Sequence, residues 1–101
     1  MSKVLKALAD PTRRRILELL REREMTAGEL SDRFQQSKPT MSGHFAVLKD
    51  AGLVDVQRQG QSLIYRLNTS VLEDALTALM QSFGFGARTT DPGAVPDGEP
   101  T

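Results

Sequence analysis

From position 53 to position 67 the apolar residues stop recurring every three or four places and begin to alternate, which confines the chain to folds that attach a small sheet to a set of helices. Val54 and Val56 fall on one strand (53–58), Leu63, Tyr65 and Leu67 on the next (61–67), and Gly60 stands at the bend, the pattern of a β-hairpin. The flanking segments keep helical spacing. Val4, Leu5 and Leu8 make a short first apolar face, and Asp10-Pro11 offers an N-cap and a first-position proline to a second helix that buries Ile16, Leu19 and Leu20. Thr26-Ala-Gly-Glu29 has the form of a capping box, hydroxyl and carboxylate each taking an amide, ahead of a short third helix that turns Leu30 and Phe34 inward.

Only Gln35 and Gln36 separate Phe34 from Ser37, so the third and fourth helices meet at a tight turn. Ser37 caps the fourth helix, and Pro39 is tolerated in its first turn because amides there have no intrahelical acceptor. Met41, Phe45 and Leu48 recur at i, i+4 and i+7 as its buried stripe, and Gly52 is free to end it at positive φ. A second capping box, Ser70-Val-Leu-Glu73, opens a last helix with Leu72, Leu76, Leu79, Met80 and Phe83 at helical spacing. The expected architecture is mainly α with a β-hairpin wing, an α+β winged helix-turn-helix: four helices, the hairpin, then a fifth helix.

At 101 residues the chain holds one ordinary domain, expected over 1–83. The segment 84–101 has four Gly and three Pro among scattered apolar residues, and is expected to be a disordered tail because it cannot bury enough surface to offset its ordering entropy. With no Cys and His44 as the single histidine, disulfides, thiolate metal sites and cysteine nucleophiles are excluded. Glu73 is assigned to capping and Asp74 points elsewhere, so no metal and no cofactor is expected. A Gly-rich phosphate loop is missing, and caps explain the carboxylates and hydroxyls that an enzyme would use, so the chain is read as non-enzymatic. No apolar run reaches spanning length and the N-terminus lacks a signal core, so a cytoplasmic protein without membrane insertion is expected.

The formal charge is zero, but it is unevenly placed. Between positions 33 and 66 stand five basic residues (Arg33, Lys38, Lys49, Arg58, Arg66) against Asp50 and Asp55, a balance suited to a polyanion. The set expected to face outward on the fourth helix, Lys38, Thr40, Ser42, Gly43 and His44, is small or hydrogen-bonding and has no carboxylate, so it can approach phosphates and base edges without repulsion. His44 either donates to a phosphate or base, or makes a half-buried internal contact. Arg58 and Arg66 flank the wing bend with Gln59 and Gln61 at its tip, within reach of phosphates or a narrow minor groove, Arg58 being the principal contact. Of Arg13, Arg14 and Arg15, one or two are expected on the DNA backbone and the others paired with Glu18 or Glu22.

Three segments at this spacing, Ala9-Asp-Pro-Thr-Arg-Arg-Arg-Ile-Leu-Glu-Leu-Leu20, Ser37-Lys-Pro-Thr-Met-Ser-Gly-His-Phe-Ala-Val-Leu-Lys-Asp-Ala-Gly-Leu-Val54 and Arg58-Gln-Gly-Gln-Ser-Leu-Ile-Tyr-Arg-Leu67, resemble the ArsR family of bacterial transcriptional repressors. The resemblance covers 1 to about 83. Within the family the chain is most similar to compact, metal-independent autorepressors like that of the sporulation-delaying-protein operon. That likeness implies control of the chain's own promoter and of a neighbouring membrane-protein gene, with a membrane or other protein relieving repression. It also implies a homodimer on a palindromic double-stranded operator, each protomer presenting one recognition helix. Carried over position by position, Lys38, Pro39, Ser42 and Gly43, in the segment that Ser37 opens, fall where such repressors meet major-groove edges and backbone, with Thr40 beside them. Many relatives have His or Arg where this chain has Gly43, which moves base reading toward Thr40, Ser42 and His44 or toward DNA shape. The dimer is expected on Val4, Leu5 and Leu8 with Leu72, Leu76, Leu79, Met80 and Phe83, because the last helix is apolar over more of its circumference than one small core covers. The rival reading is a winged helix used for protein contact without DNA binding.

Overall fold

The computed structural model describes residues 2–85. In chain order it forms α1 (Ser2–Leu8), α2 (Pro11–Glu22), β1 (Met25–Thr26), α3 (Ala27–Ser31), α4 (Lys38–Asp50), β2 (Val54–Gln59), β3 (Ser62–Leu67) and α5 (Thr69–Ser82). The five helices and the hairpin follow the expected order, and the arrangement is a winged helix-turn-helix. The sheet has three strands, in the order β1-β3-β2, all antiparallel. The added strand β1 pairs Met25 with Tyr65 and Thr26 with Ile64. Two residues are too few to show a period, so the sequence pattern carried no sign of it.

Local chemistry fixes most element boundaries. The Asp10 carboxylate accepts the Arg13 backbone N–H at 3.0 Å and Pro11 opens α2. At α3, Glu29 N–H donates to Thr26 Oγ1 at 3.0 Å and Thr26 N–H to Glu29 Oε1 at 2.9 Å, both halves of a capping box. Just past the end of α4, Gly52 takes a φ of +77° that lets Leu53 N–H return to the Leu48 carbonyl at 3.0 Å. At the hairpin bend Gly60 takes φ +63°. The second expected capping box does not form: α5 begins at Thr69, its N-cap position is Asn68, and no side chain caps it. The reason lies in the connection, since Asn68 N–H is held by the Leu53 carbonyl at 2.9 Å directly after β3, which places Ser70 inside the first turn. At the other end of α5, Phe85 N–H bonds to the Met80 carbonyl at 2.9 Å. The rest of the segment read as a disordered tail lies outside the described residues.

One apolar cluster joins the elements. Ile16, Leu30, Met41, Leu48 and Leu53 are its largest fully buried side chains, with Val4, Ala7, Leu17, Leu19, Leu20, Met25, Phe45, Val54, Tyr65 and Ala75 around them. Burial of each large aliphatic side chain contributes about 1.5–3 kcal/mol. Phe45 of α4 meets Tyr65 of β3 with ring centroids 5.0 Å apart, which fixes the wing against that helix.

Two caps also give the fold an acid limit. The Arg13 backbone N–H holds the Asp10 carboxyl below its ordinary value, and the Thr26 backbone N–H does the same for Glu29. A depressed carboxylate contributes stability that is complete above its unfolded value and lost as pH falls through the folded one. Urea midpoints are therefore expected to be flat above about pH 5 and to fall below about pH 4. Asp10→Asn, which keeps an N-capping side chain but no charge, should flatten that fall.

Candidate nucleic-acid interface

The turn between α3 and α4 presents α4 with its apolar stripe inward: Met41, Phe45 and Leu48 are buried, while Lys38, Pro39, Thr40, Ser42, Gly43, Ala46 and Lys49 are exposed. Ser37 accepts the Thr40 amide at 3.3 Å, and its hydroxyl donates to Thr40 Oγ1 at 2.9 Å. The Thr40 O–H stays free to donate outward, whereas the Ser37 O–H is engaged in the cap. Ser42, two residues beyond Thr40 on the same helix, is exposed. Asp50, the one carboxylate of α4, sits at its far end and pairs with Lys3 at 3.4 Å, leaving the exposed face free of negative charge up to Lys49.

The wing lies beside this face. Between α3, α4 and β3 runs an open cleft of about 530 Å³, whose walls include Lys38, Ser42 and Lys49 on one side and Leu63 and Tyr65 on the other. Arg58 is registered opposite Leu63, so alternation places it on the same strand face as Val56, Leu63 and Tyr65, the face toward α4. Gln59 falls on the opposite face, opposite Ser62, and Gln61 at the turn. Lys38, Lys49 and Arg58 enter no ion pair among the described residues. Arg66 does: it bonds to Glu24 at 3.3 Å on the far side of the wing, so it is not a second free cation at the bend.

His44 does not face outward. Its side chain is 14% exposed, Arg13 Nη1 lies 3.1 Å from its Nδ1, and its Nε2 lies 3.2 Å from Gln36 Oε1. The expected outward contact is corrected to the internal one, because both ring nitrogens already have partners. The arginine triplet is also occupied. Arg15 pairs with Glu18 at 3.1 Å, as expected for one of the three. Arg13 and Arg14 instead cap α1: Arg13 donates to the carbonyls of Ala7 (2.8 Å) and Lys6 (3.0 Å), and Arg14 to that of Leu8 (2.8 Å). Sequence reasoning missed Thr12 and Gln36 as neighbours of the site and gave Arg13 a different role, since their partners lie 24 to 31 positions away or across a turn.

On the opposite side of the molecule α5 leaves an apolar face. Leu76 is 43% exposed, Met80 46% and Phe83 69%, beside a cleft lined by Leu8, Leu17, Leu67, Leu72 and Leu76. Leu5, Leu8, Leu72 and Leu79 are partly covered by their own chain. Val4, expected at the surface for a partner, is 7% exposed and packs in the core with Ala75, a correction that reflects how closely α1 crosses α5. No three His, Cys, Asp or Glu side chains cluster among the described residues, and no helix described is long and apolar enough to cross a membrane.

Comparison with known proteins identifies this architecture. A helix-turn-helix domain model matches residues 8–57. The transcriptional repressor SdpR of Bacillus subtilis is 43% identical over 86 residues, which span 85% of this chain and 96% of that protein. A solved ArsR family transcriptional regulator superposes with a TM-score of 0.76 at 26% identity, over 82% of this chain and 91% of the other. The chain belongs to the ArsR family of transcriptional regulators. A second solved structure, described as a possible transcriptional regulator for arsenical resistance, is 38% identical with a TM-score of 0.71, over 85% and 91% of the two chains. Membership places the chain among regulators rather than enzymes, and the elements matched include the α3–turn–α4 unit.

Gly43 has no structural need to be glycine. It sits at an exposed interior position, its φ is not positive, and a Cβ built there meets no atom within 4 Å. Nothing in the fold requires glycine, while glycine in a helix interior costs about 0.5–1 kcal/mol relative to alanine. Gly43→Ala is expected to raise stability by about that amount, read as a higher urea midpoint at unchanged slope.

Proposed function

We propose that this ArsR-family chain is a sequence-specific double-stranded DNA-binding repressor that acts as a homodimer on a palindromic operator, its own promoter among the targets. The observation that carries the reading is the exposed face of α4: hydroxyls and lysines from Lys38 to Lys49 with no carboxylate between them, and Arg58 on the wing face beside it. A helix of this width enters a major groove. Thr40 and Ser42 supply groups for base edges, Gly43 allows close approach, and Lys38, Pro39 and the Ser37 cap set the helix N-terminus against the backbone. Arg58, Gln59 and Gln61 reach the flanking phosphates or minor groove. The name borne by SdpR, a transcriptional repressor, supports the same reading.

The homodimer rests on the face of α5. Leu76, Leu79, Met80 and Phe83, with Leu5, Leu8 and Leu72 alongside, form a surface that one protomer leaves open and a two-fold copy closes. Two α4 helices then stand about one helical repeat, roughly 34 Å, apart, the spacing a palindromic site demands. The DNA-binding and dimerisation unit is assigned to 1–83.

Titration of salt tests the central claim. Log affinity for duplex should fall steeply with log salt, and Arg58→Ala should make the slope shallower by about one. Thr40→Ala and Ser42→Ala should weaken a selected duplex more than a scrambled one by about 1 kcal/mol or more. Duplex binding absent at low salt would leave a protein-contact role for the winged helix. For the dimer, light scattering of Leu76→Glu and Leu79→Glu is expected to give monomer or unfolded chain, and wild-type monomer at micromolar concentration would remove the two-fold arrangement.

A further inference from the structure

We propose that Arg13 is a positioning residue for α4, acting through His44, and that base discrimination depends on this pair although neither side chain touches DNA. The inference rests on the DNA-binding reading of α4. A guanidinium has only donors, so the nitrogen it meets, His44 Nδ1 at 3.1 Å, must present a lone pair. That leaves the ring proton on Nε2, which donates to Gln36 Oε1 at 3.2 Å, and the Gln36 amide nitrogen in turn donates to Thr12 Oγ1 at 2.6 Å. The relay starts at α2, crosses to the middle of α4, runs through the α3–α4 turn and returns to α2 one residue from where it began. Donor and acceptor roles agree at every step. The same Arg13 side chain is held by the carbonyls of Ala7 and Lys6 at the end of α1, so it is itself immobilised. The charged groups facing the imidazole are Arg13 and Asp10, whose carboxylate lies 3.9 Å from Nδ1 and is held by the Arg13 amide.

The argument for positioning comes from what the rest of the α4 seat cannot do. Met41, Phe45 and Leu48 choose which face is buried, but apolar burial is non-directional and leaves the roll of the helix about its axis soft. Hydrogen bonds are directional, and a base-edge contact from Thr40 or Ser42 fails with a displacement of about half an ångström. His44 lies one turn from Thr40 and next to Gly43, so its bonds fix the roll at the level of the reading side chains.

The test uses the full chain with Arg13→Met, His44→Phe and the double variant. Affinities are measured across a salt series for the tightest duplex selected from a random pool and for its scrambled sequence, and amide hydrogen exchange is followed in the DNA-free proteins. Each single variant is expected to lower the selected-to-scrambled ratio about tenfold, and the double variant no further, because coupled residues are non-additive. The salt slope should not change. In the free proteins the amides of residues 41–45 should exchange about tenfold faster, with α5 amides unaltered as the internal control. Additive losses, or a His44→Phe effect that persists when Arg13 is already Met, would overturn the proposal in favour of direct or independent contacts. Unaltered exchange in α4 would overturn it as well. If wild type binds neither duplex, the DNA reading fails, and faster α4 exchange in the variants still establishes the clamp. Should a ring variant not fold, Gln36→Ala at its exposed turn position makes the same prediction, and an unchanged ratio together with unchanged exchange would refute it.

Discussion

Three side chains, Met41, Phe45 and Leu48, seat α4 on the core, and almost everything the molecule presents to a partner depends on that seat. They are the buried residues of a thirteen-residue helix; His44 and Val47 are partly covered, and the rest of its surface is exposed. The seat is extended at one end by Leu53, folded back by the Gly52 turn, and on one side by Phe45 against Tyr65. Through the second contact the wing inherits its position from α4. Helix and wing thus stand on one shared apolar cluster, which sets the face each presents.

Charge on this surface is decided by pairing more than by composition. Of the cations in the central segment, Arg66 is drawn to Glu24, and farther up the chain Arg13 and Arg14 close the end of α1. Those arginines hold the scaffold. Lys38, Lys49 and Arg58 enter no ion pair among the described residues; the two lysines line one cleft together with Asp32, and Arg58 stands opposite Leu63 of its wall. A chain of zero net charge thus carries a locally cationic face, and exposed charges at this range act over roughly a Debye length, about 8–10 Å.

Short-range signals were legible in the sequence. The caps at Asp10, Thr26 and Ser37, the alternation through the hairpin and the stripe on α4 each depend on residues within seven positions of one another, and each appears where the pattern places it. What escaped depends on distant partners. His44 turned inward because Arg13 stands 31 positions away, and β1 exists only because β3 has a free edge for it. Val4 is covered by α5, an encounter no helical period encodes. The Ser70 box failed for a local reason of another kind, since the backbone bond at Asn68 set the helix start first.

The empty space around Gly43 has an evolutionary consequence. Since a Cβ at this exposed position meets no neighbouring atom, a single codon change can start a hydrogen-bonding arm on α4 without a clash at its root. Duplicated genes could diverge in target choice through that codon alone, without passing through an unfolded ancestor.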